Sequence, residues 1–370
     1  MDFDLTDEQL QLRDAVARWA ERAYTFERRR ADIAAGGFDS GVWQALTELG
    51  LTGLTVPEVH GGMGQGPVEA LVTLQALGNA LLLEPLAAAW VAAAMLQHGG
   101  GSALQAVWLP RLAAGELVVP ALLERRSRHD LGRVACQASA DGDHWRLSGR
   151  KHVVPAGDQA AAWIVSARAP DGLALFWVER SAAGVHLSPY PLQDGSRAAD
   201  LVLEATPAQR LPGNGAATLQ WGADVGAALA CAQAVGVMER ALALTVDYLK
   251  TRHQFGVPIG SFQALRHRAA DMKMALELAR GMAVYALLKL TAPEAERRQA
   301  VARAKVQVGQ SARFIGQQAV QLHGGIGVTD EYAIGHCFKT LTQLELSWGD
   351  TSHHLGIVAA GMTEEANVGA

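Results

Sequence analysis

The sequence predicts an α+β protein, mostly α, in three parts: a helical domain at 1–117, a small β-barrel or sandwich at 118–212, and a helical bundle at 213–370. Three observations carry this. Apolar residues recur at helical spacing at both ends of the chain. Between about residue 118 and residue 210 the pattern becomes short apolar runs bounded by Gly, Pro, Asp and Gln, which is a strand-and-turn rhythm. Near the end, Val301, Val308, Ile315 and Leu322 recur every seven residues. That is one seam of a long helix buried against its neighbours, as in a four-helix bundle that also forms an oligomer interface.

Composition narrows the function classes. At 370 residues the chain can bury a large core and hold two or three domains. It is 49% hydrophobic and 19% charged, an ordinary globular balance, and its net charge of −5 offers no electrostatic footprint for nucleic acid. The longest apolar stretch, Leu86 to Leu96, is too short to span a bilayer, and the acidic start Met1-Asp2-Phe3-Asp4 is unlike a signal or transit peptide. No membrane association is expected. The three cysteines, Cys136, Cys231 and Cys337, form no Cys-x-x-Cys pair and read as buried thiols of a cytoplasmic protein. The histidines show no metal-ligand spacing, so no bound metal is expected.

In order along the chain, Asp7 to Arg30 reads as a helix with Leu10, Val16 and Trp19 near one face. Thr6 is its N-cap and Gln9 holds the capping-box position. Gly41 to Leu49 reads as a second helix, ending on a left-handed Gly50. The turn Gly61-Gly62-Met63-Gly64 is rich enough in glycine to cradle a phosphate but lacks the flanking pattern of a P-loop or Rossmann turn. Val68 to Leu112 reads as two or three packed helices interrupted near Pro85 and Gly99-Gly100-Gly101. Strands follow at His144–Leu147, Val153–Val154, Ala162–Ala167, Leu173–Val178, Val185–Ser188 and Asp200–Leu203, with Ser148 to Lys151 read as a turn. From about Trp221 the chain is helical again. Met238, Leu242, Val246 and Leu249 mark a helix that Gly256 and Pro258 stop before another begins near Ser261-Phe262.

The junction of those two helices holds Arg252-His253-Gln254-Phe255-Gly256. An Arg there can serve the helix dipole, or its planar fork can pair bidentately with phosphate. The long helix at 301–322 runs into Gln321-Leu322-His323-Gly324-Gly325-Ile326-Gly327, where adjacent glycines either cap the helix or let a ligand approach the backbone. Together these runs resemble the Arg-x-Gln-Phe-Gly and Gln-x-x-Gly-Gly-x-Gly signatures of the acyl-CoA dehydrogenases. The resemblance covers essentially the whole chain, including the Pro57-Glu58 loop after the second helix and the helix–sheet–helix order. It implies FAD as cofactor, an acyl-CoA thioester as substrate and an electron-transfer flavoprotein as acceptor. It also implies that Arg252, Gln254, Phe255, Gln321, Gly324 and Gly325 meet the dinucleotide half of an FAD held largely by a neighbouring subunit.

Enzymes of that family remove an α-proton with a carboxylate while a β-hydride passes to the flavin. The base is often the Glu of a Tyr-Glu-Gly-Thr segment, which matches Trp348-Gly349-Asp350-Thr351 here. The base position holds Gly349, Asp350 is the nearest carboxylate and Thr351 matches a cofactor-contacting Thr. Asp224, near where other relatives carry the base, reads as an N-cap or first-turn acid, and Glu345 as a solvated or salt-bridged face residue. The sheet domain departs too. Leu123-Glu124-Arg125…Arg128-His129-Asp130 replaces Thr-Glu-Pro…Gly-Ser-Asp, and Lys151-His152-Val153-Val154-Pro155 replaces Lys-x-Trp-Ile-Thr. Arg125, Arg126 and Arg128 are candidates for CoA phosphates or plain solvated residues.

The losses fall in the half of the site that a subunit builds for its own flavin, while the half it lends looks intact. The chain particularly resembles the small subunit of pimeloyl-CoA dehydrogenase-type heteromeric enzymes, in fatty acid or steroid side-chain catabolism. That likeness implies a related partner subunit carrying the Glu base. The alternatives are a self-sufficient homotetramer using Asp350, and a flavin-free acyl-CoA-binding or scaffolding protein.

Overall fold

The computed structural model describes residues 5–142 and 144–368, with side chains to residue 362. It divides into two compact units. One holds the chain up to Arg29, Pro67–Leu82 and everything from Ala227 on; the other holds Arg30–Gly66 and Leu83–Gly226.

In the N-terminal part, helix α1 (Asp7–Ala23) starts on the expected capping box, Thr6 Oγ1 accepting from the Gln9 backbone and Gln9 Oε1 from that of Thr6. The single helix read from Asp7 to Arg30 is a break at Tyr24-Thr25 followed by α2 (Phe26–Ala34). Thr25 causes the break: its hydroxyl accepts the Arg28 N–H and caps a new helix. Helix α3 (Ser40–Glu48) is capped by Asp39 and stops before Gly50, which is left-handed at φ 76° as expected. The Gly61–Gly64 turn is pressed against its own loop, since a Cβ on Gly62 would lie 2.1 Å from the Val56 carbonyl. Gly62 serves packing, while Gly61 (φ 79°) and Gly64 (φ 61°) serve the turn's positive φ. Helices α4 (Pro67–Asn79), α5 (Leu86–Gly99) and α6 (Gly101–Ala113) are separated at the expected interruptions.

The second unit carries seven strands: β1 (Val118–Ala121), β2 (Gln137–Asp141), β3 (His144–Pro155), β4 (Ala162–Ala169), β5 (Gly172–Glu179), β6 (Val185–Pro191) and β7 (Arg197–Arg210). Pairing runs β4-β2-β3-β7-β5 and returns from β5 to β4, so the sheet closes into a barrel, with β1 alongside β4 and β6 alongside β7. Closure removes exposed edges. Trp163 and Phe176 are fully buried in its core. The predicted turn at Ser148–Lys151 is absent. Strand β3 runs straight through it, with irregular register at Leu147/Gly149 and again at Lys151/Val154. Gly149 is needed because a Cβ there would lie 2.7 Å from Cys136 Cα, so the glycine marks a bulge under close backbone contact.

Helix α7 (Gly215–Thr251) begins earlier than the expected Trp221, capped by Asn214, whose Oδ1 accepts the Ala217 N–H. It is the one described helix long and apolar enough to cross a membrane, and 72% of its most apolar window is buried inside the protein. In the first unit it meets α4 at two glycines: a Cβ on Gly236 would lie 1.9 Å from the Gln75 carbonyl, and one on Gly78 2.3 Å from that of Gln233. Helices α8 (Gln263–Leu288), α10 (Ala333–Leu346) and α11 (Thr351–Val368) pack on α9 (Glu294–His323). The seam of Val301, Val308, Ile315 and Leu322 is buried as predicted.

Candidate functional site

Helix α7 delivers the Arg252 segment. Past Thr251 the chain folds into a two-residue hairpin, strand β8 (His253–Gln254) pairing antiparallel with β9 (Val257–Pro258). Phe255 at φ 52° and Gly256 at φ 79° form the bend, the positive-φ pair that such tight hairpins need. Phe255 accepts this strained conformation although the residue is 91% exposed, its ring lying edge-on to Phe262. The Arg252 backbone is pinned, its N–H donating to the Tyr248 carbonyl and its own carbonyl accepting from Ile259. Its guanidinium is exposed, with no hydrogen-bond or ion-pair partner among the described residues. Gln254 is also exposed, its Nε2 donating to the His253 carbonyl.

Helix α9 ends beside this hairpin. The ring of His323, its last residue, stacks on Tyr248 of α7 at 4.5 Å and contacts Tyr332 at 5.2 Å, so the two signature segments leave their helices side by side. Nδ1 of His323 donates to the Ala319 carbonyl, and burial lowers its pKa. Gly324 takes φ 62° and ψ −138°, a conformation that glycine alone adopts readily, and a Cβ at Gly324 or Gly325 would meet nothing within 4 Å. No packing explains Gly325. Open space over bare backbone, in a segment that leaves α9 beside the helix carrying the exposed Arg252 and that holds the exposed Gln321, suits the phosphates of a dinucleotide.

A buried bridge braces the turn after these glycines. Arg29 Nη1 lies 2.6 Å from His336 Nδ1. A guanidinium only donates, so Nδ1 accepts, Nε2 carries the hydrogen, and it donates to the Asp330 carbonyl at 3.0 Å. Burial, with Arg29 and Lys339 nearby, holds the His336 pKa below its ordinary 6.5. The unfolded chain therefore takes up a proton near that value while the folded chain resists it. Stability is expected to fall as pH drops below about 6.5. In His336→Gln the loss between neutral and mildly acidic pH should be shallower, as denaturant melts at several pH values would show.

The segment matching the family base lies between α10 and α11. Trp348 (φ 58°) and Gly349 (φ 104°) are both left-handed. A Cβ on Gly349 would lie 2.6 Å from His353 Cδ2 and 2.7 Å from His354 Nε2. His354 is held there by the bond from its Nε2 to the Trp348 carbonyl (2.9 Å). Asp350 accepts the His353 N–H at 2.8 Å and so caps α11. Thr351 donates both its N–H (3.0 Å) and its hydroxyl (2.7 Å) to Glu345 Oε1. Glu345 also pairs with Arg313 at 3.0 Å and is 8% exposed, so it is salt-bridged but buried rather than solvated. Asp224 is neither an N-cap nor in a first turn: it lies within α7, 4% exposed, accepting from Gln220 Nε2. The earlier helix start moves it inside.

In the barrel unit, Lys151 is fully buried and donates to Glu124 (2.7 Å) and Ser166 (2.9 Å). Burial is the largest single influence on the Glu124 carboxyl and would raise its pKa. Lys151 and the Ala135 and Cys136 N–H groups that Glu124 accepts together outweigh it and hold that pKa down. Arg125, Arg126 and Arg128 stand outside this anchor, Arg125 and Arg126 exposed. Val153 sits at φ 53°, an outlier for a β-branched residue, with its N–H held by Tyr190 and Tyr190 held by Asp200. No group of acidic, His or Cys side chains among the described residues could hold a metal ion.

Comparison with known proteins gives the family. The acyl-CoA dehydrogenase N-terminal domain profile matches residues 6–116 and the C-terminal domain profile residues 213–363. The chain is 29% identical to the probable acyl-CoA dehydrogenase YngJ of Bacillus subtilis, over 97% of this chain and 99% of that one. Among solved structures it is similar to a variant of the Tcur3481-Tcur3483 steroid ACAD (33% identity, TM-score 0.91, 98% and 99% of the two chains covered). It is also similar to the ChsE4-ChsE5 complex from Mycobacterium tuberculosis (27% identity, TM-score 0.91, 98% and 99%). The chain belongs to the acyl-CoA dehydrogenase family, FAD-dependent oxidoreductases acting on CH–CH bonds.

Proposed function

We propose that this chain is the base-lacking subunit of a heteromeric acyl-CoA dehydrogenase and completes an FAD site whose catalytic carboxylate belongs to a related partner. The observation that carries this is the closed space at Gly349. The position of the family base has a left-handed backbone, and two histidine rings occupy the volume a side chain would enter. The nearest carboxylate, Asp350, is engaged in capping α11.

Bound FAD supplies the acceptor for the substrate β-hydride. This chain's part is to bind and orient. Arg252 would fork onto phosphate oxygens, Gln254 and Gln321 would donate amide hydrogens, and Phe255 would cover the dinucleotide. Gly324 and Gly325 would admit it to the backbone, and Thr351 would contact the flavin cofactor. Both similar solved structures are named as pairs of distinct chains, and one is named as a steroid enzyme. A bulky side-chain acyl-CoA is the substrate class this reading assigns, with an electron-transfer flavoprotein as acceptor in the cytoplasm.

The test is purification alone and after coexpression with a related dehydrogenase chain, reading flavin absorbance, subunit stoichiometry and desaturation. The expected result is a mixed tetramer with about one FAD per pair of chains, active only when mixed. One FAD per chain in an active homotetramer would overturn the proposal and return Asp350 to the role of base. A colourless mixed complex would leave acyl-CoA binding as the function.

A further inference from the structure

Behind the turn that replaces the family base lies a clamp built from α9. Lys305, Gly309 and Arg313 recur at four-residue spacing on one face of that helix, aimed at the end of α10 and the start of α11. Lys305 is 3% exposed, and its Nζ donates to the Leu344 and Glu345 carbonyls at 2.8 and 2.9 Å, closing the C-terminus of α10 with a buried cation. Arg313 reaches Glu345 Oε1 from the other side. Gly309 admits the contact: a Cβ there would lie 2.6 Å from Thr351 Oγ1 and 3.3 Å from Glu345 Cγ. A cavity of about 10 Å³, lined in part by Cys231, Lys305, Gly309 and Glu345, adjoins the clamp.

One oxygen, Glu345 Oε1, thus collects three donors, and two come from Thr351. A threonine hydroxyl has a single hydrogen to give and lone pairs to accept with. Here the hydrogen is directed inward to a carboxylate. We propose that Glu345 is a positioning residue for the flavin: by taking the Thr351 hydroxyl hydrogen from behind, it presents that oxygen to FAD as an acceptor only. The inference deepens the functional reading above and rests on its placement of Thr351 at the flavin. Thr351 is the contact; Glu345 acts through it, and Lys305 and Arg313 hold Glu345 in place. A donor on the cofactor, N–H or ribityl O–H, is the matching chemistry.

The experiment is a double-mutant cycle in the assembled heteromeric complex, stripped of flavin and titrated with FAD, with the bound flavin spectrum and the melting temperature of the stripped complex as further readouts. Glu345→Met keeps most of the side-chain length while removing the acceptor, so the Thr351 hydroxyl hydrogen is no longer drawn inward. We expect it to weaken FAD binding about fivefold to tenfold, the scale of one hydrogen bond, and to shift the bound flavin spectrum. Thr351→Val should weaken binding by a similar factor, Thr351→Ser should restore it, and Glu345→Met should add nothing in the Thr351→Val background. An equal loss from Glu345→Met in both backgrounds would make Glu345 a structural clip only and overturn the proposal. So would unchanged FAD affinity in Glu345→Met with Thr351 present. If Arg252→Ala weakens FAD binding but Thr351→Val does not, this inference falls alone. If neither does, the assignment of the flavin edge falls with it.

Discussion

Gly349→Glu, which writes the family's base back into the chain, is expected to yield no desaturation by the isolated protein and to destabilise it. The backbone at φ 104° lies in a region that L side chains rarely adopt, costing about 1–3 kcal/mol. The new Cβ also meets His353 and His354 well inside van der Waals distance. His354 cannot yield freely while its Nε2 holds the Trp348 carbonyl. Overpacking of this kind adds about 1–3 kcal/mol. A total loss on the order of 2–6 kcal/mol is large beside the net stability of a typical domain. Denaturant melts and an acyl-CoA reduction assay on the isolated chain are the measurements. A folded, active Gly349→Glu chain would show that the missing carboxylate was the sole deficit and that no partner is required.

Arg252→Ala is expected to cut FAD affinity of the assembled complex by about 10–100-fold, the range for losing charge-assisted hydrogen bonds to phosphate. The free chain should keep its melting temperature, because the guanidinium has no hydrogen-bond or ion-pair partner among the described residues. That combination separates a ligand contact from a structural one. Arg252→Lys keeps the charge but not the fork, and should fall between the two. The effect should appear only in FAD titrations of the mixed assembly, since this edge serves a site completed by the partner. Unchanged affinity in Arg252→Ala would remove this hairpin from the site.

Much of this was legible locally. Thr6 and Gln9 form the box their spacing predicts, and Gly50 caps its helix. The seven-residue seam of α9 is buried because helical periodicity is a property of the residues themselves. The signature segments were readable for a similar reason: each is a continuous run whose glycines and charge carry its chemistry. Local reading failed where one residue has two uses. Gly149 read as a turn, but a bulged strand also needs glycine where another backbone approaches, and Cys136 supplies that backbone.

Contacts between residues far apart in the chain needed the folded molecule. Nothing near Glu345 announces that α9 will bury it, yet Arg313 and Thr351 convert a face residue into a clamp. Arg29 meets His336 across almost the whole sequence, and their geometry sets the tautomer that braces Asp330. The residues alone pointed to the family, the three-part order and a missing Glu at Gly349. Whether that absence was a simple loss or a closed space depended on where His353 and His354 point. That direction is set by a left-handed turn and the Trp348 carbonyl, which no periodicity encodes.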